Sequence, residues 1–289
     1  MIEPWWAAAI VAGSVLLGDQ VNRRLVGWLP DDPPRPGRKS HARPIPLAGV
    51  LLAPALLAWC AAFEAWLLLA AIVVAAAVGF EDDRRKERSG ALDDGGLDWR
   101  VKAVGLFLAA GLVATTTCDP LQQPGSWLAV FGLTFVLTNA VNFLDNTDGV
   151  AAGLSGAMLL LLGFAALPDG STRAITLAAG FAGCGFLAFN WPKPRLFLGD
   201  GGAYALGLCT SWAAAHALRL DPKWLLAVTV PLVDFTQVVI ARLVIGVPPW
   251  VGDRRHLTHI AQNLGLHRTA VAPLFVALAA GVGAAALAI

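Results

Sequence analysis

The chain has 289 residues, of which 57% are hydrophobic and only 14% are charged, and its net charge is +1. Soluble domains carry about 25% charged residues, so the composition excludes an ordinary soluble domain and predicts an integral membrane protein. A net charge near zero argues against nucleic acid as a partner. The four cysteines suggest no disulfide framework, because most of them lie inside apolar runs.

Successive apolar segments predict an all-α, polytopic membrane protein with about ten transmembrane helices, folded as a single domain over 1–289. About 20 apolar residues cross a bilayer, and somewhat fewer can do so where the membrane thins. Pro231 and Asp234 interrupt the ninth segment, which we therefore expect to be bent or broken. In chain order the segments are 4–18, 47–63, 65–80, 101–117, 126–143, 150–167, 173–190, 201–218, 223–245 and 269–288.

The distribution of Lys and Arg predicts how these helices are oriented, because basic loops remain in the cytoplasm. One set of loops is rich in basic residues, and the other set is nearly free of them. The basic loops are 19–46, 81–102, 191–200 and 246–268, and the basic residues opposite them are Arg173, Arg219 and Lys223. We therefore expect a multi-pass protein of the inner, cytoplasmic membrane with both termini outside.

Clusters of ionisable residues lie at the predicted cytoplasmic ends of the helices, where a charge is costly and indicates a functional site. Convergent carboxylates suit Mg²⁺, which prefers oxygen ligands and is usually held together with substrate phosphates. Basic residues beside them suit phosphate oxygens. The membrane setting indicates that one substrate is a lipid. The clusters are 81–83, 139–149, 197–200 and 252–259.

Each cluster also has a purely structural interpretation. Asp82 and Asp83 could be solvated charges beside the basic run 84–86, and the carboxylates of the second and third clusters could cap the helices that follow them. His256 and His259 have a spacing compatible with zinc, but no third ligand lies near them in the sequence.

Taken in order, the motifs of the chain resemble the polyprenyl-phosphate N-acetylhexosamine-1-phosphate transferase family. The resemblance covers residues 38–260, and it leans toward the branch that uses simple UDP-N-acetylhexosamines such as UDP-GlcNAc. One motif alone is weak, but five in the same order on one predicted face are specific. The motifs are 38–49, Asp82-Asp83, 139–149, Asn190 with 197–202, and 253–259.

The resemblance implies a reaction in which polyprenyl phosphate attacks the sugar-linked phosphate of a UDP-N-acetylhexosamine. UMP leaves, and a polyprenyl-diphosphate sugar stays in the membrane as the first membrane intermediate of a cell-wall or surface-glycan pathway. The family requires Mg²⁺, with Mn²⁺ as the alternative ion. The implied partners are the UDP-sugar, the polyprenyl phosphate lipid and the membrane, and a homodimer is left open.

The resemblance also implies roles for individual residues. The metal ligand is Asp200; the catalytic residues near the lipid phosphate and the diphosphate are Asp82, Asp83, Asn142, Asp145 and His256; the substrate-binding residues are Lys39, Lys102, Asp148, Asn190, Phe197, Arg254, Thr258 and His259. Among the last group, Asp148 and Asn190 resemble uracil-pocket residues, and Phe197 resembles the residue that stacks on the base.

Four positions in these motifs depart from the family pattern: Val50 replaces the second Gly of a Gly pair, Ala203 replaces a Ser, and the other two are Thr258 and Asn146. Thr258 stands where the family has the second His of His-x-His-His, and Asn146 stands where it has the first Gly of Asp-Gly-x-Asp-Gly. We expect Thr258 to change how the donor is bound without abolishing catalysis, because the charged residues are all present. We expect Asn146 to stiffen its loop, since glycine is the more flexible residue.

Other functions remain open at this point. An intramembrane prenyltransferase also binds a lipid diphosphate through Asp and Mg²⁺, but it needs two Asp-x-x-x-Asp-like motifs, and only 145–148 comes close. An ion-coupled transporter would place carboxylates near the membrane midplane in related halves of the chain. A scaffold without catalysis is suggested by Thr258 alone.

Overall fold

The structure, a computed structural model, describes residues 3–24, 28–33, 43–89 and 95–289. Residues 38–42 of the first motif, including Lys39, lie outside these residues. The all-α prediction is confirmed, because helices account for nearly all regular structure in the described residues. The exception is one antiparallel pair of two-residue strands, β1 (Asp31–Asp32) and β2 (Ile45–Pro46).

Every predicted apolar segment contains a helix. In the described part of the chain, five stretches are long and apolar enough to cross a membrane, namely Trp99–Thr117, Pro124–Leu144, Ser171–Asn190, Pro222–Val244 and Arg268–Leu287. A count of ten crossings stays a prediction. The helices are α1 Trp6–Arg24, α2 Ala53–Ala62, α3 Trp66–Ser89, α4 Trp99–Thr117, α5 Pro124–Leu144, α6 Val150–Leu161, α7 Ser171–Asn190, α8 Gly199–Leu220, α9 Thr229–Val244, α10 Leu257–Asn263 and α11 Arg268–Ala284.

The ninth segment is irregular, but at a different place from the one predicted. A 3₁₀ helix over Pro222–Val228 leads into α9, and Pro231 then lies in the first turn of α9. A proline is tolerated there because its missing N–H would have no helical partner. The helix therefore continues without interruption through Asp234, which is buried in its middle.

Helix α8 is the centre of the fold, and most of its residues are buried against α3, α5 and α7. Glycine allows the closest of these contacts. A Cβ atom on Gly79 of α3 would lie 2.4 Å from the backbone of Asp200, and one on Gly202 would lie 2.6 Å from Gly49 Cα. The start of α8 is thus enclosed by backbone on two sides, which fixes the position of Asp200.

The end of the first motif meets the fourth motif directly. The backbone N–H of Phe197 donates to Pro46 O at 2.9 Å, and the N–H of Ala48 donates to Phe197 O at 2.8 Å. Gly49 N–H then donates to Leu198 O at 3.0 Å. These bonds hold residues 46–49 beside the turn that begins α8.

Candidate active site

Three carboxylates converge where α3 ends and α8 begins, and we call them the carboxylate cluster. Asp82, Asp83 and Asp200 each place an oxygen within 4.8 Å of the others. Asp82 and Asp83 are buried, so they are not the solvated loop charges of the structural interpretation. Asp200 lies inside the first turn of α8, where the helix dipole favours a negative charge, and does not cap that helix.

Two lysines and an asparagine surround the carboxylate cluster. Lys86 Nζ lies 2.6 Å from Asp82 Oδ2 and 3.0 Å from Asp200 Oδ2. Lys102 Nζ lies 3.3 Å from Asp82 Oδ2, and Asn142 Nδ2 donates to Asp200 Oδ1 at 3.0 Å. Lys102 and Asn142 were predicted from the sequence. Lys86 was considered only as a loop charge, although its i, i+4 spacing from Asp82 on one helix could have revealed the pair.

The carboxylates of the cluster repel one another. Its members lie beyond the predicted spans, at the ends of α3 and α8. Burial, and after it the charge of Asp200, holds the pKa of Asp83 well above its ordinary value. Burial also raises the pKa of Asp82, although Lys86 and Lys102 oppose this shift. Like charges held close together in a buried site are relieved by a divalent cation, and oxygen ligands suit Mg²⁺.

The loop 145–149, which we call the α5–α6 loop, is tied to the cluster at one end and to α7 at the other. The carboxylate of Asp145 lies near the backbone of Gly199 and near the carboxylate of Asp200. Gly149 has a φ of 74° and donates its N–H to Asn190 Oδ1 at 2.9 Å. The Nδ2 of Asn190 donates to the carbonyl oxygen of Leu196 at 2.9 Å. The buried Asn190 therefore holds backbone at the predicted nucleotide pocket.

The middle of the α5–α6 loop is bound by α10. Thr258 Oγ1 donates to Asn146 Oδ1 at 2.6 Å, and Thr147 Oγ1 donates to the same oxygen at 2.9 Å. Gln262 Nε2 donates to Thr147 Oγ1 at 3.2 Å. Thr258 is fully buried, so its hydroxyl faces this loop. Two of the positions that depart from the family pattern, Asn146 and Thr258, are thus hydrogen-bonded to each other.

Asp148 meets the first residue of α11. Arg268 Nη2 lies 2.7 Å from Asp148 Oδ1, and the carboxylate is largely buried. Asp148 does not cap α6, whose N-cap residue is Gly149. Arg268 was missed as a site residue because only the fold brings it to Asp148, 120 residues away along the chain. Phe197 is partly buried in the segment that leads to Asp200.

His256 is held by a carboxylate from α9. Its Nδ1 lies 2.9 Å from Asp234 Oδ2, and the N–H of Leu257 donates to Asp234 Oδ1 at 2.6 Å. Phe143 lies edge-on to the imidazole, with ring centroids 5.4 Å apart. The sequence drew attention to Asp234 as a charge in an apolar segment but did not identify its partner.

A buried ion pair fixes the loop that carries the last motif. Arg242 Nε and Nη2 lie 3.0 and 3.3 Å from the two oxygens of Asp253, and its guanidinium lies 5.0 Å from the centre of the Phe143 ring. Arg255 Nη1 lies 2.8 Å from Asp253 Oδ2. Partial burial would raise the pKa of Asp253, but the bonds from Arg242 and Arg255 hold it well below its usual range.

Two predicted binding residues complete this side of the site. Arg254 is exposed, whereas His259 is partly buried on α10. Burial, and after it the charge of Arg254, lowers the pKa of His259 to about 4, so this ring is neutral at pH 7. Its Nδ1 is buried and has no hydrogen-bond partner among the described residues.

The chain is similar to known transferases along most of its length. The family model described as Glycosyl transferase family 4 matches residues 65–217, which run from the start of α3 to the end of α8 and include the carboxylate cluster. The phospho-N-acetylmuramoyl-pentapeptide-transferase of Chloroherpeton thalassium is 31% identical, over 76% of this chain and 72% of the relative. The name of this relative describes the transfer of a muramoyl group that bears a pentapeptide, not of a simple N-acetylhexosamine.

Other relatives carry names from the simpler branch. The decaprenyl-phosphate N-acetylglucosaminephosphotransferase of Mycolicibacterium smegmatis is 28% identical, over 83% of this chain and 70% of the relative. The probable undecaprenyl-phosphate N-acetylglucosaminyl 1-phosphate transferase of Bacillus subtilis is 30% identical, over 48% of this chain and 42% of the relative. The chain spans about half the length of several mycobacterial relatives that it matches.

Proposed function

The chain belongs to glycosyl transferase family 4, and we propose that it transfers N-acetylhexosamine 1-phosphate from a UDP-sugar to polyprenyl phosphate in the membrane. The observation that carries this proposal is the convergence of Asp82, Asp83 and Asp200 beside two lysines, at the ends of apolar helices. Such a site has the charges needed to bring an anionic lipid and an anionic nucleotide together.

The proposed reaction exchanges one phosphoanhydride bond for another. An oxygen of polyprenyl phosphate forms a bond to the sugar-linked phosphorus of the UDP-sugar, and the bond from this phosphorus to the bridging oxygen breaks. The electron pair leaves with that oxygen as UMP. We favour direct attack over an aspartyl intermediate, because a phosphate monoester is already an anionic nucleophile and needs mainly alignment and charge neutralisation.

We assign Mg²⁺ binding to the carboxylate cluster, with Asp200 as the central ligand. The three convergent oxygens and their mutual repulsion fit a hard divalent cation, and Mn²⁺ is the alternative. When bound, the ion supplies charge neutralisation for the phosphates. Lys86 and Lys102 border the same space, so they can hold phosphate oxygens while Asn142 keeps Asp200 oriented.

The nucleotide is assigned to the other end of the α5–α6 loop. Asp148 and Phe197 are proposed to contact uracil, and Asn190 is proposed to shape this pocket through its bonds to backbone. His256, Arg254 and His259 are proposed to meet the diphosphate or the sugar, and Lys39 keeps its proposed role as a nucleotide contact. Thr258 acts through the loop, because its hydroxyl is bound to Asn146.

N-acetylglucosamine is the proposed sugar, because the simpler branch of the family is favoured by the sequence motifs. The proposed setting is the cytoplasmic face of the inner membrane, with both termini outside. Cysteine labelling in intact cells tests the orientation. Cysteines at Gly95 and Arg255 should resist an impermeant reagent, whereas one at Asp169 should react, and the opposite pattern would invert the topology.

The transporter alternative fits the structure less well than the transferase does. Asp145 lies beside Asp200 at helix ends, and Asp234 is bound to His256 and to backbone. These carboxylates are therefore engaged in two separate clusters and do not line one route across the membrane. The prenyltransferase alternative would need two Asp-x-x-x-Asp-like motifs, and the spacing of 145–148 differs from that pattern.

A membrane assay tests the proposed function. The purified full chain is incubated with polyprenyl phosphate and radiolabelled UDP-GlcNAc, UDP-GalNAc or UDP-N-acetylmuramoyl-pentapeptide, with Mg²⁺, Mn²⁺ or EDTA. We expect label in the lipid fraction, release of UMP, and no transfer with EDTA. Asp169→Asn, which removes an exposed carboxylate of the α6–α7 connection, is the matched control and should remain active. The proposal fails if none of these donors labels the lipid.

A further inference from the structure

Asp234 is a fully buried carboxylate within the apolar helix α9, and each of its oxygens has a different partner. Oδ2 lies 2.9 Å from His256 Nδ1, and Oδ1 accepts a hydrogen bond of 2.6 Å from the N–H of Leu257. A buried carboxylate is costly unless its oxygens are hydrogen-bonded or paired with a positive charge. The described contacts of Asp234 are thus directed at the segment that begins α10.

These contacts fix the imidazole of His256. A carboxylate can only accept hydrogen bonds, so Nδ1 carries a proton and donates a hydrogen bond to Asp234. The ring is buried and lies edge-on to Phe143, which prevents it from turning freely. No hydrogen bond joins Nε2 to a residue in the described part of the chain, so this nitrogen is the one that can meet a ligand.

We propose that Asp234 is a positioning residue that sets the tautomer and direction of His256, so that Nε2 faces the diphosphate of the donor. This inference rests on the proposed function, because it assigns His256 to the transferred phosphate. It also assigns a role in the reaction to Asp234, which lies outside the sequence motifs.

Asp234 could instead serve only to cap the start of α10 through its bond from the Leu257 N–H, and this role makes a different prediction. Asn is about as good an N-cap residue as Asp and has nearly the same volume. In Asp234→Asn, however, the amide has one acceptor oxygen, so His256 Nδ1–H and the Leu257 N–H can no longer each donate to an oxygen of their own. If the amide nitrogen faces His256, it forces the proton onto Nε2 and reverses the tautomer.

A double-mutant cycle on the full chain in lipid nanodiscs tests the inference. The donor is the UDP-sugar that the wild-type protein uses, and folding is checked by thermal unfolding. We expect Asp234→Asn to lower kcat by about 10- to 100-fold, as for other groups that orient a functional histidine. In a His256→Ala background the same change should lower kcat by less than about 2-fold, because its route of action is gone.

The control is Val238→Ala, which removes buried methyl groups one turn further along α9. This variant should lower the unfolding temperature while kcat stays within about 2-fold of wild type. Val238 is not among the interaction partners of His256 in the described part of the chain. If kcat falls together with the unfolding temperature in both Asp234→Asn and Val238→Ala, Asp234 acts only by stabilising the fold.

A second variant guards against misfolding of Asp234→Asn. His256→Asn places an amide N–H near the position of Nδ1, so Asp234 stays paired, but nothing replaces Nε2. We expect this protein to fold and to lose turnover. Wild-type kcat in His256→Asn, or equal effects of Asp234→Asn in both backgrounds, would overturn the inference while leaving the transferase proposal intact. If the wild-type protein transfers no sugar phosphate, the proposed function and the inference fail together.

Discussion

The carboxylate cluster brings like charges together, whereas the α5–α6 loop beside it is held by partners of complementary character. In the cluster, Asp82 and Asp83 are buried next to Asp200, and the two nearby lysines do not remove the repulsion. In the loop, Asn146 meets a hydroxyl and Asp148 meets Arg268. The cluster therefore has like charges that a divalent cation would relieve, whereas residues 146–149 of the loop are satisfied by their own contacts and give shape to the site.

The largest effect should come from removing a charge from the cluster. Asp200→Asn keeps the volume and the bond from Asn142 but lowers cation affinity, and it should reduce kcat by about 100- to 1000-fold, corresponding to several kcal/mol. The measurement is transfer activity together with Mg²⁺ titration. A folded Asp200→Asn protein with near-normal turnover would contradict the role as metal ligand, and Asp169→Asn serves as the active control.

A smaller effect is expected on the nucleotide side. Phe197→Ala should raise the KM for the UDP-sugar by about 5- to 150-fold, the equivalent of about 1–3 kcal/mol of base stacking. The KM for polyprenyl phosphate should change little, because the ring is assigned to the uracil. If instead the lipid KM rises and the donor KM does not, the pocket has been given to the wrong substrate.

The hydrogen bonds of the α5–α6 loop should contribute to stability. Thr258→Val keeps the shape but removes one of the two donors to Asn146 Oδ1, and because Thr147 still donates to that oxygen it should cost about 0.5–1.5 kcal/mol of unfolding free energy. Thr176→Val is the matched control, because that buried hydroxyl has no partner among the described residues. Thermal unfolding in detergent should separate the two variants, and equal unfolding temperatures would contradict the importance of the bond.

The hydrogen bond between Thr258 and Asn146 also predicts the effect of Thr258→His. An imidazole does not fit beside Asn146 at a fully buried position, so the single substitution should lower stability. Asn146→Gly in the same chain creates space and should recover part of the loss. Unfolding temperatures and donor KM values of the single and double variants test this coupling, and strictly additive effects would argue that the two positions are independent.

The smallest effect is a dependence of stability on pH. The folded pKa of His259 is about 4, below the ordinary value of about 6.5. Between these values the unfolded chain binds more protons, so His259 lowers stability as the pH falls from about 6.5 toward 4. His259→Gln should flatten this part of the curve of unfolding temperature against pH. An unchanged slope would mean that the ring is accessible to protons in the folded state.

The sequence predicted the positions of the helices well, because an apolar segment must be helical to cross a membrane. The predicted segment 126–143 became Pro124–Leu144, and 173–190 became Ser171–Asn190. Helix α3, by contrast, continues to Ser89, nine residues past its predicted end. Ion pairs at i, i+4 on its last turns extend it beyond the apolar stretch, and hydropathy does not detect them.

The motifs also predicted which residues would come together, but not how they would be paired. Asp82, Asp83, Asp200 and Asn142 form one group, as their motifs implied. The contacts of Asp234 with His256 depend on how α9 packs beside α10, and no local pattern contains that information. Helix α10 itself was not predicted, since it is a short polar segment with few apolar residues.

The hydrogen bond between Asn146 and Thr258 has a consequence for building chimeric enzymes. These residues lie 112 positions apart in the sequence but are in direct contact. The size of the side chain at one position therefore limits which side chains fit at the other. A crossover placed anywhere between them would combine one parent's loop with the other parent's α10. Recombination with a relative that has glycine and histidine at these positions should therefore preserve folding only when both segments are exchanged as one block.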